Sequence, residues 1–155
     1  MTVASLTMTR AIILSAGQGR RLLPLTEKQP KCLLPIAGRC ILQWQLDALL
    51  ESGINNITII TGFHSDLIEQ LIAEEYSAHT GITTLYNPFF NVSDNLASCW
   101  QARAFMDEDF LLINGDTVFE ADVLNDVLAS PTAPITLTID QKETYDEDDM
   151  KVELD

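Results

Sequence analysis

The chain has 155 residues, 46% hydrophobic and 21% charged, and a net charge of −14 at pH 7. That length and mixture specify a globular chain with a substantial core; no apolar run reaches membrane-spanning length, and the segment MTVASLTMTR lacks the apolar block of a signal peptide. Cys32, Cys40 and Cys99 are odd in number and lack metal-ligand spacing, so buried reduced thiols in a cytoplasmic protein are expected.

In chain order, Arg10 to Ser15 (RAIILS) is a short apolar run ahead of glycine and reads as a buried strand. Ile41 to Ser52 repeats Ile41, Leu42, Trp44, Leu46, Leu49 and Leu50 at a helical period, with Gly53 as its stop. Asn56 to Thr61 (NITIIT) is β-branched and bounded by Gly62, hence strand. Ser65 to Tyr76 opens on a capping residue and places Leu67, Ile68, Leu71 and Ile72 on one helical face. The remaining elements are strand Ile82 to Tyr86, helix Asp94 to Phe105, strand Phe110 to Asn114, helix Ala121 to Leu128 and strand Ile135 to Ile139. From Asp140 onward eight acids face two lysines, and Asp146 to Asp149 reads as a solvated loop.

This alternation predicts an α/β fold, with a mostly parallel sheet carrying helices on both faces, because parallel neighbours need crossover helices. Functional loops of such a sheet lie at the carboxyl ends of its strands. Three informative segments fall there: the loop after Ser15, the loop from Asn87 to Asp94, and Asn114-Gly115-Asp116.

Charge singles out the first of these. Residues 1–39 hold six of the nine Lys/Arg residues (Arg10, Arg20, Arg21, Lys28, Lys31, Arg39) and one acid, Glu27. An acidic protein that concentrates cations beside a glycine-rich turn is suited to selective anion capture. A basic arm for nucleic acid is the competing explanation, but these residues are interleaved with Leu and Pro and form no polar run. The turn is neither common phosphate loop: no Lys-Ser/Thr follows Gly19, and Leu22 and Pro24 stand where a dinucleotide fingerprint needs a small residue and a continuing helix. What remains is an extended loop whose Gly17 and Gly19 N–H groups approach a phosphate, with Arg21 and Lys31 as cationic clamps.

These residues carry a family resemblance. Leu14-Ser15-Ala16-Gly17-Gln18-Gly19-Arg20-Arg21-Leu22, then Pro24-Leu25-Thr26, Pro30-Lys31 and Leu34-Pro35, resemble the signature of nucleotidyltransferases that activate sugar phosphates and related phosphate monoesters. Tyr86-Asn87-Pro88, Asp94-Asn95-Leu96-Ala97-Ser98 and Leu112-Ile113-Asn114-Gly115-Asp116 resemble the phosphocholine cytidylyltransferase branch. Arg20 departs from the pattern, since the family usually has Ser or Thr there.

The resemblance implies a Rossmann-like fold of the nucleotide-diphospho-sugar transferase type. It assigns Arg21 and Lys31 to the triphosphate as catalytic and nucleotide-binding cations, and Ala16, Gly17, Asn95 and Ser98 to the base. Asp116 becomes the aspartate that holds Mg²⁺. It further implies transfer of CMP from CTP to a small phosphate or phosphonate monoester such as phosphocholine or aminoethylphosphonate, with pyrophosphate released. A sugar-1-phosphate nucleotidyltransferase and a noncatalytic nucleotide-binding module are the alternatives. Family members run longer, so residues 1–155 are expected to form the N-terminal, nucleotide-binding portion of a single domain, without the C-terminal part that supplies a second metal aspartate and much of the acceptor pocket. No oligomeric state is implied. Tyr86, Phe89, Phe90 and Trp100 flank the Asn95 turn; core packing is the expected role for most of them, and a face for a quaternary ammonium is the alternative.

Overall fold

A computed structural model describes residues 10–139 together with Lys142, Thr144 and Val152. Most of the tail from Asp140, including Asp146 to Asp149, lies outside the described residues. The main sheet has four strands, β1 (Arg10–Ser15), β4 (Asn56–Thr61), β5 (Ile82–Tyr86) and β6 (Phe110–Asn114), in the order β5-β4-β1-β6. All of its pairings are parallel. Two-residue strands β2 (Pro35–Ile36) and β3 (Arg39–Cys40) form a small antiparallel hairpin that no periodicity announced.

The helices are α1 (Ile41–Glu51), α2 (Ser65–Glu75), α3 (Asn95–Ala102) and α4 (Ala121–Ala129). Alternation along β1 decides which helices go where. Ala11 and Ile13 point into a cluster with Leu42, Leu46 and Leu49 of α1, Ile68 of α2 and Leu124 of α4. Ile12 and Leu14 point the other way, to Ile60 and to Ala102 of α3. Helices therefore cover both faces, as two-sided apolar strands require. A single-turn 3-10 helix, Arg103–Phe105, continues α3.

Helix ends follow local chemistry. Gly53, at φ 79°, takes the left-handed conformation that closes α1, and its N–H donates to Leu50 O. Asp94 caps α3 by accepting from the Leu96 N–H at 3.0 Å. Ser65 is not a cap: His64 occupies that place at φ 48° and contributes no side-chain hydrogen bond.

Ile135 to Ile139 forms no strand. A β-branched run becomes a strand only when a neighbour accepts and donates its backbone hydrogen bonds. No described strand pairs with it, and Ile135 is 79% exposed.

Candidate nucleotide site

From β1 the chain steps outward to β4 and β5, then returns across β1 to β6. The strand order thus reverses between β1 and β6, and ligands of open α/β sheets bind in the crevice that such a reversal opens at the carboxyl ends. Leu14 and Asn114 sit in register, and the Gly115 N–H donates to Leu14 O at 2.9 Å, so the two strands end level. A side chain at position 115 would collide with that junction, its Cβ lying 2.3 Å from Ser15 Oγ and 2.5 Å from Leu14 O.

A cleft of about 190 Å³ opens here. Gly17 and Gly19 of the glycine loop, Lys31, Asn95 at the start of α3 and Asp116 after β6 all line it. Residues separated by up to about a hundred positions meet because each follows the end of a strand or precedes a helix at the same sheet edge. Gly17 faces open space, with no atom within 4 Å of where a Cβ would stand. At Gly19 the reason for glycine differs: φ is +75° and an added Cβ would lie 2.9 Å from Lys31 Cβ.

The loop is folded against itself. It turns through a 3-10 helix, Arg20–Leu22, ahead of Pro24. Thr26, fully buried, donates through Oγ1 to Gly19 O at 2.9 Å, and Gln18 Nε2 donates to Thr26 O. A second 3-10 turn, Lys31–Leu33, brings Lys31 back under the glycines. Its ammonium bonds Asp116 Oδ2 at 2.5 Å. Cys32 lies at the floor of the cleft, where burial pushes its thiol up to about 12, so it remains a neutral S–H and no nucleophile.

Not every expected residue lines the cleft. Ala16 is buried, and its carbonyl accepts from the Phe63 N–H. Arg21 sits exposed on the Arg20–Leu22 turn, outside the cleft lining. Ser98 is buried, its hydroxyl accepting from Asn87 Nδ2 at 3.1 Å; it braces the 87–94 loop. Asn87 Oδ1 in turn accepts from the Phe89 N–H. Arg20 reaches across to Asn91 Oδ1 and ties the glycine loop to that same loop.

The aromatic residues depart from the expected core role. Phe90 packs partly on the Ile12 and Leu14 cluster, whereas Tyr86, Phe89 and Trp100 are exposed. Trp100 lines an open, largely apolar groove of about 590 Å³ with Leu96 and Met106. Arg103 lies over its ring at 4.7 Å.

Gln45 was not singled out by the sequence pattern. It is the polar member of the buried stripe of α1, four residues from both Ile41 and Leu49, and its side-chain amide reaches the backbone beside Asp116. The available signal was a polar residue at a helical position reserved for the core.

A sequence model of the family described as nucleotidyl transferase matches residues 10–148. The chain belongs to that family. It is 38% identical over 124 residues to CMP-5'-(3-aminopropyl)phosphonate synthase of Streptomyces rubellomurinus, covering 80% of this chain and 20% of that protein. To the UTP--glucose-1-phosphate uridylyltransferase AglF of Haloferax volcanii it is 32% identical, over 77% of this chain and 47% of the relative. Among solved structures, CTP:phosphocholine cytidylyltransferase from Streptococcus pneumoniae superposes with a TM-score of 0.64 at 29% identity, covering 74% of this chain and 50% of that one. The chain thus spans between a fifth and a half of the length of these relatives.

Proposed function

We propose that the chain forms the nucleotide-binding portion of a cytidylyltransferase that moves CMP from CTP to a small phosphate or phosphonate monoester and releases pyrophosphate. The observation that carries this reading is the convergence of Gly17, Gly19, Lys31, Asn95 and Asp116 on one cleft at the sheet's reversal point. In the reaction an acceptor oxygen attacks the α-phosphorus, the new P–O bond forms, and the bond to the β-phosphate oxygen breaks with its electron pair leaving on pyrophosphate. Two anions must be brought together, so the protein's task is charge screening and alignment.

The N–H groups of Gly17 and Gly19 approach the phosphate oxygens closely. Lys31 and Arg21 balance the β- and γ-phosphate charge, Arg21 from the loop turn beside the cleft. Asn95, at the amino end of α3, presents amide groups to the base, and Ala16 and the Ser98-braced loop shape the same end of the site. Asp116 suits Mg²⁺, an oxygen-seeking ion that takes one or two carboxylates and completes its shell with phosphate oxygens and water. When bound, the ion would supply electrostatic stabilisation of the negative charge shared by acceptor, α-phosphate and leaving group. Lys31 and Asp116 are paired at 2.5 Å; with nucleotide and cation bound, the ammonium would turn to phosphate and the carboxylate would hold the cation. Both side chains are more than a quarter exposed, so the pair itself contributes about 0–1 kcal/mol and opposes the exchange weakly.

A sugar-1-phosphate acceptor with UTP is the second reading, favoured by the likeness to the glucose-1-phosphate uridylyltransferase. Calorimetric titration of CTP, UTP, ATP and GTP with Mg²⁺, with Lys31→Ala as control, separates the two. Preference for CTP that vanishes in the variant supports the lead, and 3-aminopropylphosphonate and phosphocholine are then the acceptors to try. Preference for UTP moves the assignment to the sugar branch, and absence of binding to any nucleotide overturns both.

A further inference from the structure

We infer that Gln45 is a positioning residue: through its side-chain amide it fixes the backbone turn that presents Asp116 to the cleft. The inference rests on the role proposed above for Asp116. Gln45 Nε2 donates to Asn114 O at 2.7 Å and to Thr117 O at 2.8 Å, the carbonyls on either side of Asp116. Two carbonyls can be bridged only by a group with two N–H bonds, so the chemistry itself sets which end of the amide faces the turn. Asn114 O also accepts from the Thr117 N–H at 3.2 Å, closing a short turn with Asp116 inside it.

The position has a cost. Gln45 is fully buried on α1 among Leu42, Leu46 and Leu49, and its Oε1 has no hydrogen-bond partner among the described residues. A buried acceptor without a partner destabilises, and an apolar side chain would pack in the same stripe at less expense. What the amide supplies in return is a rigid link from α1, the most buried of the described α-helices, to a carboxylate at the mouth of the cleft. Groups that orient metal ligands from behind are worth roughly 10- to 100-fold in metal affinity or activity.

The test uses Mn²⁺ as a paramagnetic stand-in for the divalent cation. Water-proton relaxation is followed as Mn²⁺ is titrated with CTP into the chain and into Gln45→Met, Gln45→Glu and Asp116→Ala, alongside thermal melts. The expected result is folded Gln45 variants that bind Mn²⁺·CTP about 10- to 100-fold more weakly. Gln45→Glu keeps the volume and leaves at most one donor, the O–H of a protonated carboxyl, so the two-carbonyl bridge is broken and this variant carries the test if Gln45→Met melts below the assay temperature. A folded Gln45 variant with unchanged Mn²⁺·CTP affinity, beside an impaired Asp116→Ala, overturns the positioning role alone. Unchanged binding in Asp116→Ala, or no binding by the unaltered chain, overturns the reading of Asp116 itself and the inference with it.

Discussion

On one face of the sheet, Ala11, Ile13, Ile57, Ile59 and Ile113 join residues of three helices in a single cluster. On the other, Ile12, Leu14 and Ile60 meet α3 through Ala102 in a cluster one-third that size, and Leu96 and Trp100 of the same helix remain exposed. The first face is a scaffold, and Gln45 carries its rigidity to the Asp116 turn. The second supports the loops around Asn87 and Asn95 by polar braces such as Asn87–Ser98, with little apolar weight behind them. Under the proposed function, phosphate and cation are held from the stiff side, while base and acceptor are met from the looser one.

The most direct way to break this contrast is a pair of substitutions on one strand. Ile59 and Ile60 are adjacent, both fully buried, and face opposite clusters. Truncation to Ala costs about 2–5 kcal/mol in a core, more where neighbours cannot collapse into the cavity. Ile59→Ala should sit near the upper end and Ile60→Ala near the lower, measured by urea denaturation. Equal losses would show that the two faces are packed alike. Next in size, under the proposed function, is Lys31→Ala, for which a loss of about 10²–10³-fold in CMP transfer is expected, as for removal of one charge-stabilising donor, with the melting temperature held. Pyrophosphate release at the unaltered rate in a folded variant would sink the assignment.

The scaffold face also predicts alkaline lability. Burial raises the Cys32 thiol to about 12 from a reference of 9.0. Tyr76 is raised as well, first by burial and then by its hydrogen bond to Asp47, whose Oδ1 accepts from the phenol at 2.8 Å. A raised folded pKa means that the native state holds its proton where the unfolded chain releases it. The contribution of Cys32 is therefore complete below about 9 and falls as pH climbs toward 12, by up to about 1.4 kcal/mol per pH unit, while that of Tyr76 begins to fall only above its reference of 10.0. Denaturation midpoints at pH 8, 9 and 10 check this. A flat profile that Cys32→Ala leaves unchanged would show that the thiol is solvated.

Much of the fold was legible because buried parallel strands are short apolar runs cut off by Gly, Asn or Asp. Arg10–Ser15, Asn56–Thr61, Ile82–Tyr86 and Phe110–Asn114 begin and end where those runs do. Ile135 to Ile139 has the same composition and no ladder, since pairing is a property of the neighbour and not of the run. The site divided similarly. Gly17, Gly19, Lys31, Asn95 and Asp116 were recognisable as residue types in a motif, and the topology brings them to one cleft. Ser98 belonged to the motif too, yet it turns inward to Asn87, because residue type does not say which way a helical side chain faces until the helix is docked. Gln45 was missed for a deeper reason: its partners lie 69 and 72 residues ahead, and only the folded sheet reveals them.

The smallest effect discriminates most finely. Leu96 is 76% exposed beside the Trp100 groove, so Leu96→Ser removes apolar surface that already faces water. A surface substitution of that kind changes stability within about 0.5 kcal/mol, and the loss of exposed apolar area favours solubility. A urea midpoint that stays put means the groove is solvent-facing in this chain, and the looser face is then loose in solution. A loss well above 0.5 kcal/mol means that Leu96 is covered in solution. Repeating the melt at tenfold lower protein concentration then decides the cause, because a midpoint carried by self-association moves with concentration and one carried within the chain does not. Only the second outcome would require redrawing the contrast between the faces, since the cover would have to come from this chain's own residues packed over α3.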